Sequence, residues 1–339
     1  MNNWFETLFG FVETSPEVVR GNIELHDGCL RSKINGKSYH IGQLTTPSLQ
    51  KLRLAAREVS TSHQGRLTLQ NVTGDIRSFH CEPSNANALF QVASQFNLLE
   101  MVDPNVAPEQ GVTGYMFDFT QGPVCAIAAG AATVYRNYFV NVEGKMGQNS
   151  DNQIDCLSDI AETLGNTNED LWSMSNGYAL CSPEGLATIN DRLQSSNESE
   201  KDEVRQKLRI GLHSAVEVTD AEAPEDHLIS QAFCSALPVA YSSSPATEWN
   251  SFANLILESA YEATLCAAII NSHKSGSNKL FLTQLGGGAF GNKSQWIYDA
   301  MQRAFSIYKD FDLDVRIVSY ESVDPELEDM VEKWNSMQN

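Results

Sequence analysis

The sequence predicts an α/β fold in which helices sandwich a mixed or mostly parallel sheet. Three observations carry this. From Arg66 onward, strand-like and helix-like stretches alternate along the chain. The spacing of apolar residues changes between a period of two and a helical period at each boundary. A glycine-rich turn also sits between an apolar strand and an amphipathic helix, at Gly286 to Asn292.

The elements follow in order. Residues 1–60 read as an accessory layer, with a hairpin over 30–41 turning at Asn35-Gly36 and a helix over 47–59 opened by Pro47. A strand over 66–72 and a more buried strand over 88–94 open the core, which is expected to span 61–325. Gly122-Pro123 starts a helix over 123–138 whose small interior residues (Ala126, Ala128, Ala129, Gly130, Ala131, Ala132) let it lie close to a sheet. A helical insertion occupies about 143–206, with a helix over 151–164 and an exposed, charged loop over 194–206 running into a short helix. Strands over 208–218 and 228–239 precede a long helix over 248–272. A strand over 279–285, a helix over 295–308 and a strand over 313–320 complete the core, and 326–339 is left as a tail.

Composition narrows the function. The chain has 339 residues, with 23 Lys plus Arg against 43 Asp plus Glu, for a net charge of −20. That balance excludes a nucleic-acid backbone or an anionic membrane as partner and suits a basic protein. A small anion stays compatible, because backbone N–H groups at a helix start can outweigh a distant field. The seven cysteines are odd in number, contain no CxxC pair, and suggest neither zinc nor disulfides. No HExxH occurs, and no metal site is indicated; the acids could hold Mg²⁺, but nothing in their spacing calls for it. The first 11 residues lack a basic n-region, and the small-apolar run over 124–134 is about half of a membrane span. A soluble cytoplasmic protein is the expectation.

Four motifs could carry chemistry. Gly286, Gly287, Gly288, Ala289, Phe290, Gly291 and Asn292 form a turn whose N–H groups can meet phosphate oxygens. It matches GxGxxG in letters, but only 48 residues follow Gly291, so no second nucleotide-binding half exists. Gln121, Gly122 and Pro123 open the small-residue helix, where free N–H donors again favour an anion. Asp75 and Ile76 close the strand over 66–72, where Asp can accept from an amino group or cap a turn. Gln95 and Asn97 follow the strand over 88–94, within reach of a sugar hydroxyl or a water.

Taken in order, these motifs resemble the macrodomain superfamily, the ADP-ribose-binding modules. The Gly-Ala-Phe-Gly-Asn piece also looks like a loop of poly(ADP-ribose) glycohydrolases. The stretches ALFQVASQFNLLEM, DFTQGPVCAIAAGAATVYRNYF, QAFCSALPVAYS and LGGGAFGN resemble the large arginine-specific ADP-ribosylhydrolases of the Legionella effector MavL type. The resemblance implies a three-layer α/β/α macrodomain-like sandwich and ADP-ribose as ligand and product, with no cofactor required. It places Asp75 and Ile76 at adenine, Asn97 with Gln95 near the distal ribose, and the two glycine-led turns around the diphosphate. It implies removal of ADP-ribose from a modified protein, on arginine, with ubiquitin as one such carrier. The chain departs from compact macrodomains: the expected glycine triplet after the ribose Asn is replaced by a long acidic segment.

Breaking a glycosidic bond through an oxocarbenium-like state needs a held pyrophosphate, a fixed ribose, a water and help for the leaving group. Carboxylates between the ribose Asn and the phosphate helix are the natural agents. Asp118 and Glu109 lead, Glu100 follows, and Asp103 completes the cluster. Glu217, Asp220 and Asp226, after the strand over 208–218, and Asp151 with Asp155, four apart on an expected helix, form a second tier. Two other readings compete. One is an ADP-ribose-binding module without turnover. The other is a cysteine hydrolase using Cys125 near a helix start, with Gln121 as oxyanion donor and His213 or His227 as base.

Overall fold

The computed structural model describes residues 3–59 and 64–337. Seven strands make the central sheet: β1 (Gln43–Thr45), β2 (Thr68–Thr73), β3 (Leu89–Ala93), β4 (Gly211–Glu217), β5 (Leu228–Cys234), β6 (Lys279–Leu282) and β7 (Asp314–Ser319). Their order across the sheet is β1-β4-β5-β3-β6-β7-β2. Strands β5, β3, β6, β7 and β2 run parallel, and β4 is antiparallel to both of its neighbours. The alternating βα pattern produces this arrangement, because parallel neighbours need crossover helices. It gathers the C-terminal ends of five strands along one edge, where open α/β sheets hold their ligands.

Seven helices flank that sheet: α1 (Leu49–Val59), α2 (Ile76–Cys81), α3 (Gln121–Ala128), α4 (Gly130–Tyr138), α5 (Asn250–Ser275), α6 (Ser294–Tyr308) and α7 (Pro325–Met337). On one face α5 packs against α1 and α6. Its Thr264 hydroxyl accepts from Gln91 Nε2 of β3 at 3.0 Å. On the other face His80 of α2 stacks on Phe90 of β3 at 3.9 Å, and Arg136 of α4 lies 3.9 Å over the Phe233 ring of β5. The predicted three-layer α/β/α plan with a mixed sheet is what the structure has. Helix α5 is long and apolar enough to cross a membrane, but 83% of its apolar window is buried within the fold.

An ion cage ties α1, α5 and α6 to the insertion. Arg53 bridges Glu262 at 2.5 Å and Asp202 at 2.7 Å, and Arg303 reaches Glu262 at 2.7 Å. Burial pushes the Glu262 carboxyl up, but the hydrogen bonds from Arg53 and Arg303 bring it below the ordinary value. Glu262→Ala leaves Arg53 with Asp202 alone and Arg303 with only the longer contacts to Asp202 and Glu258, at 3.8 and 3.9 Å. It is expected to cost about 3–5 kcal/mol in urea unfolding. A loss below about 1 kcal/mol would mean that the arginines are served by Asp202 and solvent alone.

Several elements differ from the sequence expectation. The helix expected over 123–138 breaks at Ala129 (φ −112°, ψ 57°). There the Gly130 N–H leaves the helical ladder and donates to Thr219 Oγ1 at 2.8 Å. The helix expected over 151–164 spans only Ser158–Leu164. Asp155 Oδ1 accepts from Leu157 N at 2.8 Å in a turn before the helix, and the helix start itself has no side-chain cap. The expected tail is helix α7: Leu327, Met330, Val331 and Trp334 are buried, and Trp334 Nε1 donates to Leu67 O at 3.4 Å. Residues 3–59 bring Phe5 and Phe9 into a buried aromatic cluster with Tyr138 of α4, and they also supply the edge strand β1 and helix α1. The boundary expected at residue 60 lies outside the described residues.

Candidate functional site

A cavity of about 390 Å³ opens over the C-terminal ends of β3 and β6. A second hollow of about 240 Å³ continues it over the ends of β7 and β2. Phe119, Gln121, Thr283, Gln284 and Tyr320 line both, so the two are halves of one cleft. Among the described residues, no Lys, Arg or His lines either half. Attraction for an anion in this acidic chain therefore falls to backbone N–H groups and side-chain dipoles.

The start of α3 forms one wall. Gln121 Oε1 accepts from Ala93 N and its Nε2 donates to Gln91 O, both at 2.8 Å, so the side chain continues the β3 ladder. A Cβ on Gly122 would collide with the Ala93 carbonyl oxygen and reach 3.1 Å from Glu100 Cγ. Glycine alone lets the helix start press against the strand end. Thr120 makes no side-chain cap, so the first-turn N–H groups of Gln121 and Gly122, both residues of the cleft lining, have no helical partner.

The glycine turn after β6 forms the opposite wall. It closes with Gly287 N–H donating to Gln284 O, Gly291 N–H to Gly288 O and Asn292 N–H to Gly286 O. Gly286, Gly288, Ala289 and Phe290 face the cavity. Gly287, Gly291 and Asn292 hold the turn from behind: Gly291 packs on Ala240, and Asn292 Nδ2 donates to Leu237 O at 2.9 Å. Gly286 (φ 75°) and Gly291 (φ 71°) need the left-handed region.

Three features in the cleft were not read from the sequence. Tyr178, from a hairpin in the insertion (Trp172–Ser175 and Tyr178–Cys181), stacks beside Phe290 and Tyr241 with centroids 5.3 Å from each. Its hydroxyl donates to Met101 O at 2.7 Å and holds the loop after β3. Tyr320 lies on the lip, 74% exposed. The third is Ser319 in the second half, whose buried hydroxyl has no hydrogen-bond partner. An aromatic beside a polar strand end is the only signal that could have marked Tyr178 or Tyr320.

The acids separate sharply. Glu100 lines the cavity floor, is 2% exposed, and neither of its carboxylate oxygens has a hydrogen-bond partner. Burial pushes its carboxyl up to about 8, with Arg136 and Tyr115 opposing. The nearest cation is Arg136 Nη2, 3.8 Å from Oε2. That pair does not win, because Arg136 directs its hydrogen bonds to Leu98 O and Thr133 Oγ1 instead. Asp118 lines the rim, between the exposed Phe117 and Phe119, and accepts from Thr120 N and Oγ1 at 2.8 and 2.7 Å. The accessory layer positions this segment: Glu13 accepts from Val112 N and Thr113 N and from the Tyr138 hydroxyl.

The other carboxylates are elsewhere, which corrects the sequence expectation. Glu109 lies outside the cleft in a separate hollow with Asp151, where it accepts from Ser150 N and Oγ. Asp103 accepts from Asn105 N in its own turn. Glu217 accepts from His40 N at 2.7 Å and pairs with Leu228, the first residue of β5. Because β4 is antiparallel, its C-terminal end lies at the sheet edge away from the cleft, and the turn residue Asp226 lies there too. Asp220 is bound to Arg77 of α2. Asp155 is half-buried in the turn before the helix, which begins only at Ser158, so it and Asp151 do not share a helix face.

The motif residues also sort. Asp75 caps α2 by accepting from Arg77 N at 2.9 Å, and with Ile76 it lines the second half of the cleft. Gln95 lines the first half and accepts from Met101 N at 2.9 Å. Asn97 is fully buried and does not line the cleft: it donates to Gln153 Oε1 and accepts from Leu99 N, while Gly177 of the insertion hairpin covers it. Its role is to hold the loop. Cys125 is fully buried and burial pushes its thiol well above the ordinary value. His213 lies behind Arg136, and His227 Nε2 contacts His80 O. Cys125, His213 and His227 do not line the cleft and the Gln121 side chain is committed to β3, so the residues of the cysteine-hydrolase reading do not come together there. Among the described residues, no group of three or more His, Cys, Asp or Glu could hold a metal ion.

No family model and no curated protein matches the chain. Among solved structures, the chain is similar to the poly(ADP-ribose) glycohydrolase of Deinococcus radiodurans in complex with ADP-ribose, at 12% identity and TM-score 0.45, covering 87% of this chain and 94% of that one. It is also similar to the poly(ADP-ribose) glycohydrolase of Thermomonospora curvata, at 11% identity and TM-score 0.43, covering 95% and 96%. The inhibitor-bound form of the latter, with ADP-HPD, gives 10% identity and TM-score 0.43.

Proposed function

We propose that the protein is a macrodomain-like hydrolase that removes ADP-ribose from a modified protein side chain. The observation that carries this reading is Glu100: a buried carboxyl, kept protonated near neutral pH, in the floor of a cleft walled by two anion-compatible turns. A binding module has no need for such a group, whose burial is costly. The elongated cleft fits a dinucleotide-like ligand. Adenine would sit in the half with Asp75 and Ser319, the diphosphate between the start of α3 and the turn at Gly288, and the distal ribose toward Gln95 and Glu100.

In the reaction, the bond from the ribose anomeric carbon to the side-chain nitrogen breaks. Its electron pair goes to the nitrogen, which takes the Glu100 proton. Water adds to the carbon and returns a proton to the Glu100 carboxylate. Asp118 on the rim is suited to orient that water or to pair with a departing guanidinium. The arginine linkage and ubiquitin as a carrier rest on the sequence resemblance, and a cytoplasmic location on the cysteine usage and the apolar patterning of the sequence. The rim carboxylate of Asp118 and the chain's net charge of −20 support a basic carrier.

Calorimetry with ADP-ribose is expected to show binding, and an arginine-linked ADP-ribosylated protein is expected to be turned over. Absence of binding at millimolar ligand would overturn the reading. Binding with no turnover on any linkage would reduce it to recognition alone. Asp118→Asn is expected to raise KM for the modified protein several-fold while leaving the affinity for free ADP-ribose within about twofold, since a rim charge acts mainly on encounter with a basic partner. Equal losses for both would place Asp118 at the ligand itself.

A further inference from the structure

We propose that Arg136 is a positioning residue: its guanidinium, locked behind Glu100 by α4 and the loop after β3, sets how readily the Glu100 carboxyl releases its proton. This inference rests on the proposed role of Glu100.

The geometry is unusual for an arginine. The side chain is fully buried, and it makes no hydrogen bond to a carboxylate. Nε donates to Leu98 O at 3.1 Å, and Nη2 donates to Thr133 Oγ1 at 2.9 Å. Nη1 lies 3.5 Å from His213 Nδ1, and the plane stacks on Phe233. These contacts fix the cation 3.8 Å from Glu100 Oε2, close enough to act through space and too far to share the proton. A cation in that place is not explained by packing, since burying it is costly and apolar side chains would fill the space.

The contact with Leu98 gives Arg136 its leverage. Leu98 sits in the left-handed region (φ 65°), rare for a branched side chain, two residues before Glu100. The arginine therefore shapes the same short loop that delivers Gln95 and Glu100 to the cleft. The other ionisable groups facing Glu100 are the Tyr115 hydroxyl and, from α3, the Cys125 thiol. Both are neutral near pH 7, because burial pushes each well above its ordinary value. His213, facing Arg136 from β4, is held neutral by burial and by the arginine itself. Arg136 is thus the one charge that counters the effect of burial on Glu100 among the described residues facing it. Without it, the carboxyl would hold its proton still more tightly. An acid that never ionises cannot take the proton back from water and complete the cycle.

The test compares Arg136→Lys and Arg136→Met, each checked for a native circular-dichroism spectrum. In wild type, kcat/KM falls as pH rises through the Glu100 ionisation. In Arg136→Met that alkaline limb is expected to move up by at least one pH unit, with the maximal rate reduced about tenfold or more. Arg136→Lys is expected to keep the limb within about half a unit. A limb unmoved in Arg136→Met, or moved equally in both variants, would overturn the proposal. A second readout does not depend on turnover. The pH dependence of urea unfolding is compared between each protein and the same protein carrying Glu100→Gln, which isolates the Glu100 ionisation. The Met background should shift it upward and the Lys background should not. If no substrate is hydrolysed, this comparison still decides the role of Arg136, so failure of the enzyme reading and failure of this inference are separable.

Discussion

Glu100→Gln is expected to abolish turnover and to stabilise the protein at neutral pH. The two effects share one cause. The carboxyl is ordinarily ionised above about 4.5 but in the fold is held up to about 8, by burial first, with Arg136 and Tyr115 only partly opposing. Between those values the folded state carries a proton that the unfolded chain has released. Stability attributable to this group is therefore largest at low pH and declines as pH rises from about 4.5 to about 8. At pH 7 the decline amounts to roughly 3 kcal/mol, at about 1.4 kcal/mol per pH unit. A neutral amide of the same shape removes that dependence, less whatever its extra N–H donors cost when unpaired. Urea unfolding from pH 5 to 9 should show a flatter profile and a higher midpoint for the variant near pH 8. Turnover should fall by a factor of 100 or more, the usual worth of general acid–base catalysis. Parallel stability profiles would show that Glu100 is ionised in the fold, and retained turnover would remove it from the chemistry.

The second large effect is expected at Gly122. Alanine there places a methyl group against the Ala93 carbonyl oxygen, a backbone atom in the last residue of β3. Neither partner yields easily, since Ala93 is held in the sheet and its N–H is bound to Gln121. The start of α3 should be displaced, at a stability cost of about 1–3 kcal/mol. Because the same helix start forms the anion wall, ADP-ribose affinity should drop at least tenfold. Gly288→Ala is the control, since a Cβ there meets open space and Gly288 does not lie in the positive-φ region. Equal affinities for Gly122→Ala and wild type would remove the helix start from the ligand site. A loss as large in Gly288→Ala would mean that the glycine turn is read by close approach of the ligand rather than by its own packing.

Much of the architecture is local and was legible. The alternation of strand and helix patterns locates all the core strands from 66 onward, because half-buried and buried strands carry short-range signals in their apolar spacing. The two glycine-led turns were legible for a similar reason: Gly286 and Gly291 need left-handed φ, and Gly122 must lie flat against a strand end. Asp75 was visible as a residue that caps a turn at a strand end, and it does so while facing the cleft. By contrast, the break at Ala129 depends on Thr219, which lies far along the chain and leaves no mark in the local apolar pattern.

The acids mark the division most clearly. Glu100, Glu109 and Asp118 belong to one acidic stretch, and nothing in their neighbours' identities ranks them correctly. What separates them is desolvation and distance, which depend on residues remote in sequence for two of the three: Arg136 behind Glu100 and Ser150 against Glu109. Asn97 was placed on the right loop, but Gly177, 80 residues later, covers it. The sequence by itself determined the αβ order, the sheet's parallel core and the two turns that can face an anion, because these follow from periodicity and backbone freedom. Only the tertiary structure decided which carboxyl is buried, uncompensated and set in the cleft, because burial is a property of the assembled layers and not of any segment within them.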